Sequence, residues 1–138
     1  MKIADIMSRD VQMVGSRQTL AQAAQIMQRL DIGALPVAES DQLVGMVTDR
    51  DIVVRGLASG KNPVETPVGE VMSPQVLYCY DDQEVSEVAS NMGQQQVKRI
   101  AVVSREKQLV GFVSLGDIAA SGAAPEAQGA MSGIAGKA

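Results

Sequence analysis

The chain repeats itself, and this repetition constrains its fold more than any other feature of its sequence. Residues 3–8 read IADIMS and residues 68–73 read VGEVMS, so Met72 follows Met7 by 65 residues with the apolar, acidic and Met-Ser positions in step. Two further pairs of segments keep this offset or exceed it by one residue: 35–37 with 100–102, and 43–48 with 109–114. We therefore expect two copies of one unit of about 60 residues.

Each copy carries three apolar residues at the i, i+4 and i+7 spacing of one helix face. They are Leu20, Ala24 and Met27 in the first copy, and Val85, Ala89 and Met92 in the second. Thr19 with Gln22 three residues later predicts a capping box at the start of the first helix. Asp81 or Asp82 is predicted to cap the second helix.

Apolar runs and polar turns indicate the strands of each copy. Short runs at residues 11–14 and 76–79 predict a first strand, and the aligned segments named above predict two more. Polar residues at 40–42 and 105–107 predict the turns that join those two strands. With a short helical opening and a closing helix, each copy is predicted to be β-α-β-β-α, which places the chain in the α+β class.

The repeat bounds divide the chain into residues 1–60, 61–121 and 122–138. Residues 59–67 contain two prolines without apolar periodicity and are interpreted as a linker. Residues 122–138 are rich in Gly and Ala and poor in large apolar groups, which predicts a flexible tail. Because a unit of about 60 residues is marginal alone, we expect the two copies to pack with pseudo-twofold symmetry.

The composition argues against several classes of function. A net charge of −4, a pI near 4.7 and 2% aromatic residues are poor for nucleic-acid binding, which needs clustered cations and stacking rings. No apolar run approaches the roughly 20 residues of a membrane span. A single cysteine, Cys79, predicts a buried unreactive thiol and a cytoplasmic protein without disulfides. Because histidine is absent, we expect neither a zinc site nor an enzyme.

One motif that carries chemistry occurs in both copies: Gly, apolar, Val, hydroxyl, two residues, Asp, at 45–51 and at 111–117. The strand delivers the hydroxyl to a helix N-terminus, where backbone N–H groups favour an anion such as phosphate. The carboxylate one turn later can accept hydrogen bonds from a ribose diol, as an acidic residue does in dinucleotide sites. Alternatively, the hydroxyl and carboxylate are only helix caps, and duplication would preserve a cap equally well.

The repeat length, the paired motifs and the Asp-Ile-Met-Ser opening resemble a tandem CBS-domain protein over residues 1–121. The sequences of residues 31–37 and 48–52 are similar to those of small stand-alone bacterial CBS pairs, including the hypoxic response type. The resemblance implies a disc-like Bateman-type module, often a homodimer. It also implies two clefts between the repeats that hold AMP, ADP, ATP, NAD-type or S-adenosyl ligands, with no cofactor required.

The resemblance also implies roles for individual residues. Asp51 and Asp117 would bind ribose hydroxyls, and Thr48 and Ser114 would touch phosphate. The backbone would frame adenine at two places, which are Val14-Gly15 and Leu77-Tyr78.

The two copies differ in charge near the motif. Lys98 and Arg99 precede the second strand of copy two, and Arg50 lies beside the Asp of copy one. All three are candidate phosphate partners, since ammonium and guanidinium groups pair well with phosphate oxygens. The alternative is that they are solvated surface charges. Ala101 also replaces the proline found at Pro36, so the two sites are expected to be unequal.

Two functions follow from these observations. The first is a regulatory module that binds an adenosine-containing nucleotide, AMP, ADP, ATP or a related compound, and signals to a protein partner that the sequence does not identify. The alternative is a ligand-independent module for dimerisation or scaffolding. The sequence predicts no catalytic residues.

Overall fold

The structure of the chain, a computed structural model, describes residues 1–122, 125 and 128–131. The chain divides into two compact units, and each is described by itself. The first-repeat unit is Gln12–Val76. The second-repeat unit joins Met1–Val11 to the chain from Leu77 onward.

The first-repeat unit is built from α1 (Leu20–Leu30), β1 (Ala34–Glu39) and β2 (Gln42–Thr48). The two strands form an antiparallel hairpin whose turn residues Ser40 and Asp41 have positive φ, which confirms the predicted turn. A helix follows over residues 49–59, with π-helical geometry at Asp51–Gly56. One cluster of buried residues forms the core: Val14, Leu20, Ala23, Met27, Leu35, Val37, Val47, Ile52, Val68 and Val71.

The second-repeat unit contains three strands and two helices, which are β3 (Tyr78–Tyr80), α2 (Val85–Gln95), β4 (Arg99–Val103), β5 (Leu109–Ser114) and α3 (Leu115–Ala120). The sheet order is β3-β4-β5, with β3 parallel and β5 antiparallel to β4. Its core surrounds α2 and includes Cys79, Ile100 and Val113. The α+β class is confirmed, and this unit has the full β-α-β-β-α order.

The strand predicted at residues 11–14 is replaced by a β-bridge at Val14. The Val14 N–H donates to Pro36 O (3.0 Å), and its carbonyl accepts from Ala38 N (3.0 Å). The next N–H, of Gly15, donates to the Gln18 side chain (2.8 Å) and so leaves the ladder. Val14 with Val37 repeats the pairing of Cys79 with Val102, 65 residues later, so the topology of the two units agrees at this point.

Each repeat opens with a short 3₁₀ helix, at Ile3–Asp5 and at Val68–Glu70, and each opening lies in the unit of the other repeat. Ser8 exchanges two backbone hydrogen bonds with Phe112 of β5, at 2.7 and 2.9 Å. Ser73 does the same with Met46 of β2, at 2.9 and 2.8 Å. The sequence repeats and the compact units are therefore different divisions of the chain.

The motif glycines allow this close approach. A Cβ atom on Gly45 would lie 2.7 Å from the Met72 sulfur and 2.8 Å from Ser73 O. A Cβ atom on Gly111 would lie 2.8 Å from the Met7 sulfur and 2.6 Å from Ser8 O. Real side chains do not tolerate such distances, so the glycine of the motif is required for packing.

The long helices agree with the sequence in part. The Thr19–Gln22 capping box is confirmed, with the Gln22 N–H donating to Thr19 Oγ1 at 3.2 Å. Ala23 is buried, and the predicted Ala24 is exposed. The helix face toward the core therefore contains the residue three positions after Leu20 and not the residue four positions after it. None of the helices in the described ranges is long and apolar enough to cross a membrane.

The predicted cap of α2 is wrong. The residue at the N-cap is Glu84, and its side chain makes no cap hydrogen bond. Asp82 is instead held by two hydrogen bonds from Arg105, at 2.7 and 2.9 Å, and Asp81 is not the N-cap either.

The predicted flexible tail is corrected where the structure describes it. Pro125 and residues 128–131 are helical, and Ala130 is buried in the core of the second-repeat unit. A Cβ atom on Gly93 of α2 would lie 3.0 Å from the Ala130 Cα, so the two backbones approach closely. Residues 123, 124, 126, 127 and 132–138 of the predicted tail lie outside the described residues.

We predict that Gly45→Ala and Gly111→Ala each lower the free energy of unfolding by about 1–3 kcal/mol, because the added methyl group overpacks the Met-Ser opening. Urea unfolding followed by circular dichroism measures this change. Gly129→Ala is the matched control, since a Cβ atom there meets nothing within 4 Å. Equal stability of all three variants would contradict the packing role of the motif glycines.

Candidate functional site

The hydroxyl and carboxylate of each motif form a reciprocal capping box. In the first-repeat unit the Thr48 N–H donates to Asp51 Oδ2 (2.9 Å) and the Asp51 N–H donates to Thr48 Oγ1 (3.0 Å). In the second-repeat unit the Ser114 N–H donates to Asp117 Oδ2 (2.9 Å) and the Asp117 N–H donates to Ser114 Oγ (3.0 Å). Both pairs therefore cap the helices that follow them.

Capping leaves hydrogen-bonding capacity in both groups. Each hydroxyl accepts from a backbone N–H and keeps its own proton for a second acceptor. Each carboxylate uses Oδ2 for the cap, and Oδ1 of Asp51 lies 3.9 Å from Arg55. The side chain of Asp51 is 18% exposed, so a small polar group can reach it. The cap therefore orients the carboxylate without consuming both of its oxygens.

The strand register fixes what lies beside each hydroxyl. Arg99 is directly opposite Ser114 on neighbouring strands, and Ala34 is directly opposite Thr48. Such cross-strand pairs place their Cβ atoms about 5 Å apart on the same face of the sheet. The structure thus brings Arg99 to Ser114.

The other predicted cations lie close in sequence to the same motifs. Lys98 accepts a hydrogen bond at its carbonyl from Leu115 N (3.0 Å), immediately after Ser114. Arg50 follows Asp49, whose Oδ1 accepts the Arg50 N–H at 2.8 Å. Lys98, Arg99 and Arg50 are all exposed.

The two segments expected to frame adenine are not at equivalent positions. Val14 matches Cys79 by register, so the counterpart of Tyr78 in the first-repeat unit is Met13. Val14 is 1% exposed, and its N–H and carbonyl both pair with β1. Tyr78 lies on β3 at the edge of its sheet and is partly exposed.

A polar and aromatic group around Tyr78 was missed from the sequence. The rings of Tyr78 and Tyr80 meet edge to face with centroids 5.7 Å apart. Arg105 lies 4.0 Å from the centroid of the Tyr80 ring, and Lys107 lies 5.1 Å from that of Tyr78. The Arg105 guanidinium holds the pKa of the Asp82 carboxyl below its usual value. The two-residue spacing of the tyrosines indicates that both rings lie on one face of a strand. The sequence pattern does not show that Arg105 and Lys107, in the β4–β5 turn, lie beside them.

The chain belongs to the CBS domain family, whose model matches residues 3–57 and again residues 68–123. It is similar to Hypoxic response protein 1 of Mycobacterium tuberculosis, with 44% identity over 116 residues that cover 83% of this chain and 80% of that protein. The predicted resemblance to a tandem CBS protein of the hypoxic response type is confirmed. The match covers most of that relative, not a small region of a larger enzyme.

Two solved structures are similar to the chain. The crystal structure of Hypoxic Response Protein I with two coordinated zinc ions has a TM-score of 0.76 and 41% identity, covering 87% of this chain and 98% of that one. The CBS domain pair of protein MJ0100 in complex with 5′-methylthioadenosine and S-adenosyl-L-methionine has a TM-score of 0.71 and 26% identity, covering 91% and 98%.

The residues of this chain do not fit the zinc ions of that relative. The sequence contains no histidine and a single cysteine. Within residues 1–122, 125 and 128–131, no three Cys, Asp or Glu side chains come together as metal ligands.

Cys79 is predicted to be unreactive in the folded protein. The residue is 4% exposed, and burial raises the pKa of its thiol to about 12. Because the thiolate is the nucleophile, alkylation by iodoacetamide at pH 8.5 should be slow in the folded protein and complete in guanidinium chloride. The unfolded thiol ionises near its ordinary value of about 8.5, so stability should fall as the pH rises from there toward 12. Fast stoichiometric alkylation of the folded protein would contradict the burial of this thiol.

Proposed function

We propose that this chain is a regulatory module that binds an adenosine-containing ligand, either AMP, ADP, ATP or a related adenosyl compound. Each unit offers one binding position beside its hydroxyl–carboxylate pair. The observation that carries the proposal is the twofold occurrence of one geometry, Thr48 with Asp51 and Ser114 with Asp117. A structural relative at 26% identity holds adenosyl ligands, which supports the same ligand class here.

The groups at each position suit the parts of such a ligand. Asp51 and Asp117 would accept hydrogen bonds from the ribose hydroxyls through the oxygen that the cap does not use. Thr48 and Ser114 would donate their hydroxyl protons to phosphate or to another acceptor at the 5′ position. The backbone near Val14 and near Tyr78 would frame adenine, and Arg50, Lys98 and Arg99 would pair with phosphate.

We further propose that the ligand changes the population of two conformations that a protein partner distinguishes. The ligand then acts as a regulatory signal and not as a required cofactor. A cytoplasmic homodimer is the proposed setting.

Ligand binding is tested by a thermal-shift panel of AMP, ADP, ATP, NAD and S-adenosylmethionine. At a hundredfold excess over Kd a true ligand adds roughly 2.7 kcal/mol, which raises Tm by roughly 5 to 10 °C for a chain of this size. Asp51→Asn and Asp117→Asn should each weaken binding at their own position roughly tenfold, because a charged acceptor is lost. Asparagine retains an oxygen for the cap, whereas alanine would also cost roughly 0.5–2 kcal/mol of stability.

Asp41→Asn is the control, since Asp41 is an exposed residue of the β1–β2 turn. The absence of a shift with every compound would contradict the proposal. Normal binding by both Asp51→Asn and Asp117→Asn would contradict the assigned residues.

A ligand-independent dimerisation module is the second candidate, and one observation favours it. The helix over residues 49–59 exposes three large apolar side chains at helical spacing: Val53 at 54%, Val54 at 45% and Leu57 at 47%. Exposed apolar strips of this kind are typical of protein interfaces. The proposed occupant is the same strip of a second copy, because a twofold axis would place the apolar side chains of one strip against those of the other.

Sedimentation velocity measures this association. Val53→Ser and Leu57→Ser should each shift the protein toward monomer, since both remove apolar area from the strip. Val64→Ser is the matched control, because Val64 is 68% exposed and lies outside the helix. A wild-type protein that stays monomeric at high concentration would contradict this function.

A further inference from the structure

The two hydroxyl–carboxylate pairs differ in the charged residues around them. The first difference is the residue across the sheet from the hydroxyl. Arg99 lies opposite Ser114, whereas Ala34 lies opposite Thr48. A guanidinium at this place faces the same side of the sheet as the hydroxyl, at a cross-strand distance of about 5 Å between Cβ atoms. A phosphate held by the Ser114 hydroxyl therefore has a cationic neighbour on the adjacent strand, and one held by Thr48 does not.

The second difference is one residue earlier. The Leu115 N–H donates to Lys98 O (3.0 Å), and the Asp49 N–H donates to Gly33 O (2.9 Å), so Lys98 and Gly33 are equivalent. A Cβ atom on Gly33 would lie 3.0 Å from Asp49 Oδ2. The first-repeat unit thus holds a carboxylate where the second-repeat unit carries a lysine side chain, and Leu115 in the position of Asp49 is buried at 6% exposure.

The third difference is the partner of the carboxylate itself. Asp51 has Arg55 at 3.9 Å from Oδ1, and the same guanidinium donates to Val71 O at 3.2 Å. Ser121 holds the place of Arg55 in the second-repeat unit, and its hydroxyl donates to Ile118 O at 2.6 Å. Arg55 is therefore already bound to groups of its own unit.

The cations beside Ser114 are not held by acidic groups in this way. Lys98 and Arg99 are exposed, and neither forms an ion pair with any other residue in the described part of the chain. Two cations without acidic partners, adjacent to a hydroxyl, form a suitable place for a dianionic phosphate. In the first-repeat unit the carboxylate of Asp49 would repel the same group, and it offsets the positive charge of Arg50, the next residue.

From these three differences we infer that the two units select different ligands. The position at Ser114 and Asp117 takes a phosphorylated adenosine ligand, and the position at Thr48 and Asp51 takes an adenosyl ligand without phosphate, neutral or cationic. This inference rests on the proposed function, since it assigns a ligand class to each of the two positions proposed above. It narrows that proposal by assigning the phosphate to Lys98 and Arg99 and not to Arg50.

Isothermal titration with AMP, adenosine and 5′-methylthioadenosine tests the assignment. The double variant Lys98→Gly with Arg99→Ala copies the residues Gly33 and Ala34 of the other repeat. It should lower AMP affinity roughly tenfold or more and leave adenosine affinity unchanged, because only the phosphate contacts are lost. Arg29→Ala is the matched control, since Arg29 is an exposed cation in the last turn of α1.

Variants that remove one position at a time identify the unit. With Asp51→Asn, the preference for AMP over adenosine should persist and weaken as salt is raised. With Asp117→Asn, the preference should disappear, and 5′-methylthioadenosine should bind at least as tightly as AMP. A preference for AMP that survives Asp117→Asn would overturn the inference.

The remaining outcomes separate this inference from the proposed function. If adenosine binds but AMP binds no tighter, or if the double variant behaves like Arg29→Ala, the assignment of phosphate fails and the proposed function stands. If none of the three compounds binds the wild-type protein, the proposed function fails and the inference fails with it.

Discussion

The structure depends on a backbone exchange that is made twice, once by Ser8 with Phe112 and once by Ser73 with Met46. Each exchange joins the opening of one repeat to the last strand of the other. In each case a glycine of that strand leaves room for the opening. The openings also contribute core residues, Ile3 and Met7 in one unit and Val68 and Val71 in the other. Without them each unit would lose part of its hydrophobic core.

The same short motif serves packing, capping and the proposed recognition of a ligand. Its glycine admits the Met-Ser opening, its hydroxyl and carboxylate close the first turn of the helix, and the remaining oxygen of the carboxylate is available for a sugar. A substitution in this motif therefore has more than one physical effect. Loss of binding alone does not identify a contact residue here, which is why variants that retain the cap are informative.

Much of the fold could be predicted because local sequence patterns specify it. The Thr19–Gln22 box and the polar turn at Ser40 and Asp41 each depend on residues a few positions apart. At the strand expected over residues 11–14 the structure has a β-bridge at Val14, and Gly15 bonds to the Gln18 side chain instead of extending the ladder, which no apolar pattern records. The cap predicted at Asp82 was wrong for a similar reason. Asp82 binds Arg105, which lies 23 residues away in the chain and so is not part of any local pattern.

The exchange of openings could not be predicted, because both repeats present the same apolar pattern and either opening would fit either strand by that criterion. The candidate site was predictable in its residue types, whereas its charge difference needed the register that sets Arg99 opposite Ser114. The helical residues 128–131 were missed because small residues such as Ala130 pack by close backbone approach and carry little hydrophobic signal.

The exchanged openings have a consequence for how the chain tolerates division. The opening of each repeat packs against the last strand of the other repeat, so one repeat alone lacks the opening that completes its core. Cleavage at the junction near residue 60 would then leave two fragments that each lack a core segment and carry the segment that the other requires.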